Sequence, residues 1–301
     1  MNVHLGDVTL HVRDSGTGIP VVLLHGWPDT GDLWRHQVPA LTAAGYRVLA
    51  PDLRGFGRSS KPTDLAAYTA PILVADVIAL LDALDIRRAH LIGHDWGAAV
   101  TWMTAALAPD RVASMTALSV GHPAAFRSVG WRQREMSWYM LLFQFADIAE
   151  RWLSADDFRN LREWSAHPDI EHVVQRLADP TALTSSLSLY RAILPPESLV
   201  EPPTPLPPVP VPAMGVWSDG DFALIEEGMS GSARYVTGPW RYERIEDAGH
   251  WLQLDAPNKV NDLLLDFLDL QPRRAAATLS LASQSAAGTF ASRGAAISDN
   301  S

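Results

Sequence analysis

An aspartate between a predicted strand and a predicted helix is the first candidate for chemistry in this 301-residue chain. Residues 89–92 are a short apolar run typical of a buried strand, and helical spacing begins at residue 98. Between them, Asp95 is the centre of a G-x-D-x-G pattern, whose small residues permit a tight turn that holds the central side chain out at the end of a sheet. The pattern alone also fits a plain helix N-cap, so the residues elsewhere in the chain must decide.

Two more groups that could act with Asp95 follow the last two predicted strands. Asp221 comes after residues 213–217, and His250 comes after residues 241–245. Open α/β sheets place their sites at the carboxyl ends of strands. The order nucleophile, acid, base is that of an α/β-hydrolase triad in which aspartate replaces serine.

An aspartate nucleophile indicates chemistry at saturated carbon. A carboxylate is ionised at neutral pH without a general base and can displace a leaving group to give an ester, whereas serine needs histidine to remove its proton. His250, held by Asp221, is then free to take a proton from the water that attacks the ester carbonyl. We therefore expect alkyl transfer to Asp95, followed by hydrolysis.

The elements that must position these residues alternate between strands and helices. The pattern predicts a β-hairpin over 3–12, strands over 20–24, 46–50, 89–92, 112–120, 213–217 and 241–245, and helices over 33–44, 72–84, 98–108 and 256–270. Such alternation predicts the α/β class, with a mostly parallel sheet flanked by helices on both faces.

A helical insert separates the last two predicted strands from the others. Between residue 122 and about residue 199 there is no strand signal, and the predicted helices are 131–145, 152–164 and 170–177. We predict a cap domain over 122–205, inserted into a core made of residues 1–121 and 206–271, with a proline-rich linker at 201–212. The Ala/Ser-rich residues 272–301 are predicted to be a disordered tail.

Together these motifs resemble the epoxide hydrolases of the α/β-hydrolase fold and, beside them, the haloalkane dehalogenases, over about residues 3–270. The resemblance implies that the H-G-x-P motif at residues 25–28 directs the backbone N–H of Trp27 at the oxyanion that develops on Asp95. It implies the same role for the N–H of Trp96 at the start of the helix. One such donor typically lowers the barrier by about 2.7–4 kcal/mol.

The resemblance also implies two acids for ring opening. An epoxide opens readily only when its oxygen is protonated or hydrogen-bonded, and tyrosine is a suitable weak acid. The epoxide hydrolases have two cap tyrosines, in Y-x-x-x-F-Q and W/L-Y-R contexts, and Tyr139 and Tyr190 match these positions. The implied reaction converts a small apolar epoxide and water to a vicinal diol, with Asp95 attacking the less hindered carbon.

Other polar residues near these motifs are interpreted as supporting ones. Asp219 competes with Asp221 for the acid role, and Asp221 is preferred because the family's motif runs Gly/Ser-x-x-Asp. The residues interpreted as structural are His25, which would brace the oxyanion loop, His94, His122, Asp52 and Arg54.

Two other functions stay open at this point. Trp96 is also found after the nucleophile of haloalkane dehalogenases, where its indole N–H binds the departing halide, so a dehalogenase that uses Asp95 is the nearest alternative. The other is a ligand-binding protein of the hydrolase fold that has lost turnover. A trapped covalent ester would separate an enzyme from such a binding protein.

Composition limits the partners. The formal net charge of −10, without a long basic run, argues against nucleic acid. The absence of cysteine excludes disulfides and thiol catalysis, and the 10 histidines lack metal-ligand spacing, so we expect neither cofactor nor metal. No apolar run has membrane-spanning length and the N-terminus lacks a signal-peptide pattern, so we expect a cytoplasmic protein without a membrane partner. The oligomeric state stays open, with a homodimer as one option.

Overall fold

The computed structural model describes residues 1–201 and 205–270. Its strands are β1 Asn2–His4, β2 Thr9–Ser15, β3 Ile19–Leu24, β4 Tyr46–Pro51, β5 Ala89–His94, β6 Val112–Leu118, β7 Ala213–Ser218 and β8 Trp240–Ile245. Among the described residues they form one sheet in the order β1-β2-β4-β3-β5-β6-β7-β8. β2 runs antiparallel to β1 and β4, and the remaining neighbours are parallel. The prediction of a mostly parallel α/β sheet is confirmed.

The central strands carry continuous apolar runs because both of their faces are covered. Every residue of β5 and of β7 is buried, as is typical of parallel strands between two layers of helix. The parallel register pairs His94 with Leu118, and Leu118 with Val216. The carboxyl ends of β5, β6 and β7 therefore meet at one edge of the sheet, which is the edge where the candidate residues follow their strands.

Helices lie between the strands in chain order. The core contains α1 Gln37–Ala43, α2 Ala70–Ala83, α3 Trp96–Leu107, and, numbered after those of the insert, α10 Glu226–Ser230 and α11 Leu252–Asp255. Between β6 and β7 lie α4 Pro123–Ser128, α5 Trp131–Met136, α6 Trp138–Leu142, α7 Ile148–Ser165, α8 Ile170–Leu177 and α9 Pro180–Ile193. Residues 257–270 are helical as well. In the two described ranges, no helix is both long enough and apolar enough to cross a membrane.

The described chain is not divided at the predicted domain boundaries. Residues 1–261 form one compact unit, and residues 262–270 belong to a second. A cap domain over 122–205 therefore stays a prediction, although the insert is helical where it is described. The predicted tail at 272–301 lies outside the described residues.

Two of the three helices predicted in the insert have a different course. Instead of one helix over 131–145 there are two, α5 and α6, which are separated at Ser137. The helix predicted over 152–164 begins earlier, at a capping box, and its backbone leaves the helical region at residues 155–158.

Further helices differ from the sequence expectation, and among them the short helices α4 and α10 were not predicted. Helix α9 was not predicted, although Asp179 followed by Pro180 is a helix-start signal, and the Asp179 side chain does cap it. The predicted helix over 33–44 is a short 3-10 helix, Gly31–Trp34, followed by α1. The predicted helix over 256–270 is preceded by α11, because Ala256 has an extended φ of −129° between the two helical segments.

Buried charge holds the loop after β4 in place. Arg54 is buried and donates to both carboxylate oxygens of Asp76, at 2.6 and 2.8 Å. Asp52 accepts the backbone N–H of Gly31 and that of Arg58, each at 2.9 Å. A buried ion pair and a carboxylate that accepts backbone N–H groups order a loop, which agrees with the structural interpretation of these residues.

Candidate active site

Asp95 lies at the turn between β5 and α3, with φ 52° and ψ −120°. Such a backbone is strained for a residue with a Cβ and persists only where the surroundings impose it. A Cβ on Gly93 would lie 2.2 Å from the carbonyl oxygen of Gly97, and one on Gly97 would lie 2.0 Å from that of Leu24. The two glycines of the G-x-D-x-G pattern are therefore required for this turn, which presents Asp95 at the carboxyl edge of the sheet.

The loop after β3 supplies a donor to this carboxylate. The backbone N–H of Trp27 donates to Asp95 Oδ1 at 2.8 Å. The approach is so close that a Cβ on Gly26 would lie 2.2 Å from the same oxygen. Trp96 is the first residue of α3, where backbone N–H groups lack an intrahelical partner. The two predicted oxyanion donors thus come from the two segments that meet at Asp95.

His25 braces this loop, as expected. Its Nε2 accepts the backbone N–H of Leu53 at 2.9 Å, so its Nδ1 carries the proton and donates to the carbonyl of Gly26 at 2.8 Å. Burial lowers the pKa of His25, which keeps the ring neutral in this role.

His250 follows β8 and lies between two carboxylates. Its Nδ1 is 2.9 Å from Oδ2 of Asp221, and its Nε2 is 3.7 Å from Oδ2 of Asp95. Asp221 also accepts two backbone N–H groups of its own loop, which fix its orientation. Asp219, the competing acid, instead accepts the backbone N–H of Asp247 at 2.9 Å. The structure therefore brings Asp221, and not Asp219, against the histidine.

The charge of this histidine depends on its two neighbours. Burial opposes the charged form, but the carboxylates of Asp221 and Asp95 outweigh it and raise the pKa of His250 to about 10. The imidazole is therefore protonated at neutral pH. Esterification of Asp95 would neutralise one of the two carboxylates that stabilise this proton, and so would lower the pKa again.

This pKa predicts how stability depends on pH. Because the pKa of His250 rises on folding from 6.5 to about 10, its contribution to the free energy of unfolding is complete below about pH 6.5 and is lost as the pH rises to about 10. We expect the stability difference between the wild type and His250→Gln to change over this range in that direction. Urea unfolding of both proteins at closely spaced pH values measures it, and a difference that is independent of pH would contradict the raised pKa.

Tyr139 on α6 and Tyr190 on α9 are both buried, with ring centroids 6.1 Å apart. The Tyr190 ring lies 5.0 Å from that of Trp96. Burial, and after it the Asp95 carboxylate, raises the pKa of Tyr139 well above its usual value. Burial and the neighbouring Tyr139 do the same to the pKa of Tyr190. Both hydroxyl groups therefore keep their protons at neutral pH and remain hydrogen-bond donors.

Two hydrogen bonds hold the backbone of His250 in place. His94 Nε2 donates to its carbonyl oxygen at 2.9 Å, and the Ser119 hydroxyl donates to the same oxygen at 2.8 Å. Burial, with the nearby charge of His250, lowers the pKa of His94 to about 4, so this ring is neutral. His94 supports the site, as expected, and does not line it.

Sequence reasoning missed two aromatic side chains of the site. The Trp164 ring on α7 lies 4.6 Å from that of Tyr139 and 5.7 Å from that of Phe222, and the Phe222 ring lies 5.8 Å from that of His250. The position of Phe222 directly after Asp221 was a usable signal. Trp164 had none, because the helix that carries it is irregular and its local spacing does not show which face is buried.

The assembled groups define what the site can do chemically. It combines a carboxylate, an N–H donor on that carboxylate, a histidine–aspartate pair beside it and two protonated hydroxyl groups. These can support attack at carbon, protonation of a leaving oxygen and hydrolysis of the resulting ester. Within residues 1–201 and 205–270, no group of three or more His, Cys, Asp or Glu side chains could hold a metal ion.

Comparison with known proteins adds independent information. A model of the alpha/beta hydrolase fold family matches residues 19–257. Epoxide hydrolase A of Mycobacterium tuberculosis is 34% identical, over 88% of this chain and 96% of its own length. An epoxide hydrolase of Caballeronia sordidicola is 32% identical, over 87% and 91%. The crystal structure of a Bacillus megaterium epoxide hydrolase with an inhibitor has a TM-score of 0.81 at 28% identity and covers 89% of this chain and 100% of that one.

Proposed function

Because this chain belongs to the alpha/beta hydrolase fold family and its relatives include named epoxide hydrolases, we propose that it is an epoxide hydrolase. It would convert an epoxide and water to a vicinal diol without a cofactor. The observation that carries this proposal is the arrangement of Asp95 beside two buried, protonated tyrosines, Tyr139 and Tyr190. A carboxylate suits attack at saturated carbon, and two hydroxyl donors suit a leaving group that stays attached as an alkoxide.

The first step forms an ester. An oxygen of Asp95 attacks the less hindered ring carbon, the bond between that carbon and the epoxide oxygen breaks, and Tyr139 or Tyr190 donates a proton to the oxygen. The product is a hydroxyalkyl ester of Asp95. The pKa values that keep both tyrosines protonated support this role, because a deprotonated phenol could not donate.

The second step hydrolyses the ester. His250, no longer facing a charged Asp95, gives its proton to the tyrosinate that ring opening left, and it then takes a proton from water while the water oxygen attacks the ester carbonyl. The backbone N–H groups of Trp27 and Trp96 stabilise the oxyanion, as the 2.8 Å bond from Trp27 to Oδ1 supports. Collapse breaks the bond from the carbonyl carbon to the alkyl oxygen, which takes the proton of the hydroxyl group that water added and leaves as the diol. Asp95 is then again a carboxylate, and His250 is again protonated.

Comparing two leaving groups, an epoxide oxygen and bromide, tests this proposal. Replacing both Tyr139 and Tyr190 with phenylalanine should slow ester formation from styrene oxide by roughly a hundredfold or more, because general acid catalysis is typically worth that much. The same variant should react with 1-bromobutane no more slowly than the wild type, since bromide leaves without a proton. Rapid-quench mass measurement of the ester gives both rates. Reaction with the bromide alone would instead indicate a haloalkane dehalogenase, and no adduct from either would favour a binding protein.

Gly26→Ala tests the placement of the nucleophile. A Cβ at this position would lie 2.2 Å from Oδ1 and 2.3 Å from Cβ of Asp95, so the carboxylate must move away from the Trp27 N–H. We expect kcat for styrene oxide to fall by about a hundredfold, since small displacements of reacting groups have effects of that size. Gly228→Ala is the matched control, because a Cβ there meets nothing within 4 Å. Equal losses in the two variants would contradict this explanation.

Two finer predictions from the sequence belong to the proposal, a cytoplasmic location and a cap domain with boundaries at residues 122 and 205. A homodimer stays one option for the oligomeric state.

A further inference from the structure

Asp29 is a buried carboxylate that the reaction steps above do not use. It is 3% exposed and lies in the oxyanion loop, two residues after Trp27. The indole Nε1 of Trp251 donates to its Oδ2 at 2.9 Å. Nε2 of His167 lies 3.2 Å from its Oδ1 and 3.3 Å from its Oδ2, and the Arg176 guanidinium is 3.6 Å from Oδ1. Its partners therefore come from two distant parts of the chain, the insert around α8 and the loop after β8.

The direction of the histidine contact can be assigned. Nδ1 of His167 accepts the backbone N–H of Asp169 at 2.9 Å, so in the neutral ring the proton is on Nε2, which donates to Asp29. Burial opposes ionisation, but His167 and Arg176 nevertheless hold the pKa of Asp29 well below its usual value. Asp29 is thus a charged acceptor for Trp251 and His167, with the Arg176 guanidinium close to the same carboxylate.

Two of the connections of Asp29 lead to groups that act on the ester. Trp251 directly follows His250 in sequence, and its ring meets the His250 ring edge-on with centroids 5.0 Å apart. Trp27, in the same short loop as Asp29, donates to Asp95. When water attacks the ester, the base and the oxyanion donor must both be in place. When Asp95 attacks the substrate, no proton is transferred to His250 and no oxyanion forms on Asp95.

We propose that Asp29 is a positioning residue for ester hydrolysis, which ties the oxyanion loop to Trp251 beside the base and, through His167, to the helical insert. This role rests on the proposed function, because it concerns the second step of that reaction. It predicts that loss of the Asp29 charge slows decay of the Asp95 ester more than it slows ester formation. A purely structural residue would affect both steps, or only the melting temperature.

The test is a rapid-quench experiment with styrene oxide on Asp29→Asn. Asparagine keeps the shape, but its amide group must face either the Trp251 donor or the His167 donor, so at least one hydrogen bond is lost. We expect ester decay to slow by about tenfold to a hundredfold, with ester formation much less affected. Asp76→Asn is the matched control, because it also removes a buried carboxylate charge, that of the Arg54 pair. This control should lower the melting temperature and leave the ratio of the two rates unchanged.

A second variant keeps the test decisive if Asp29→Asn folds poorly. Trp251→Phe removes only the donor on the side of His250, and it should slow decay in the same way. Ester decay in the double variant should be no slower than in Asp29→Asn alone, because both changes break the same connection, that between Asp29 and Trp251. Normal decay in Asp29→Asn, or equal slowing of both steps, overturns the role of Asp29 and leaves the proposed function intact. A wild-type protein that forms no ester at all overturns both.

Discussion

Asp95→Ala is expected to lower kcat for styrene oxide by about 10⁴-fold or more, the scale at which loss of a covalent nucleophile acts in hydrolases. Alanine cannot form the ester, and no other carboxylate takes its position, since Asp221 is held by His250 and by backbone N–H groups. The rate of diol formation, followed by chromatography, measures the loss of kcat. Mass measurement of the intact variant after mixing with substrate should find no adduct.

The control for this variant is Asp219→Ala. Asp219 is also a carboxylate at the edge of the sheet, but it accepts the backbone N–H of Asp247 and faces Arg244. We expect its removal to leave kcat within a few-fold of the wild type, as is usual for a partly exposed ion pair. Substantial turnover by Asp95→Ala, or a collapse of turnover in Asp219→Ala, would require a different nucleophile or a different acid.

His250→Gln is the second variant with a large expected effect. Glutamine can hydrogen-bond to Asp221 but cannot take a proton from water, so the ester should form and then persist. We expect kcat to fall by about 10²–10⁴-fold, the usual contribution of a general base. A burst of one substrate molecule per protein should precede the slow residual turnover, and the protein mass should increase by that of one substrate.

His94→Gln is the matched control for the base. The glutamine amide can still donate to the carbonyl oxygen of His250, which also keeps its bond from Ser119. Turnover should therefore continue, with only a modest loss. Accumulation of ester in both variants to the same extent would show that disturbance of the histidine loop, and not loss of the base, stops the reaction.

The fold and the proximity of the three candidate residues could be predicted from local patterns. Apolar runs mark strands that are buried on both faces, and parallel strands bring their carboxyl ends to one edge, so Asp95, Asp221 and His250 could be expected to meet. The structure brings them together, with Nε2 of His250 3.7 Å from Asp95. The two tyrosines came from the family resemblance alone, because nothing in their spacing predicts which way a helix of the insert faces.

Two kinds of feature escaped prediction. Residues 131–145 form two helices that are separated at Ser137, and the backbone of residues 155–158 departs from a helix that the local pattern predicts to be continuous. Contacts between distant parts of the chain are the second kind, and Asp29 is the example in the site. It reads as an ordinary loop residue, yet its donors Trp251 and His167 lie 222 and 138 positions away. Periodicity carries no information about such pairs.

The central claim is that, in a single turnover, the oxygen added to the substrate is a carboxylate oxygen of Asp95 and not the oxygen of water. It is tested most directly by a single turnover of styrene oxide with protein in molar excess, in water labelled with the heavy oxygen isotope. The mechanism predicts an unlabelled diol and a labelled Asp95 carboxylate in the digested protein, because water attacks the ester carbonyl and the alkyl oxygen leaves with its bond to carbon intact. A labelled diol with an unlabelled Asp95 would contradict it, since that result requires water to attack the epoxide directly.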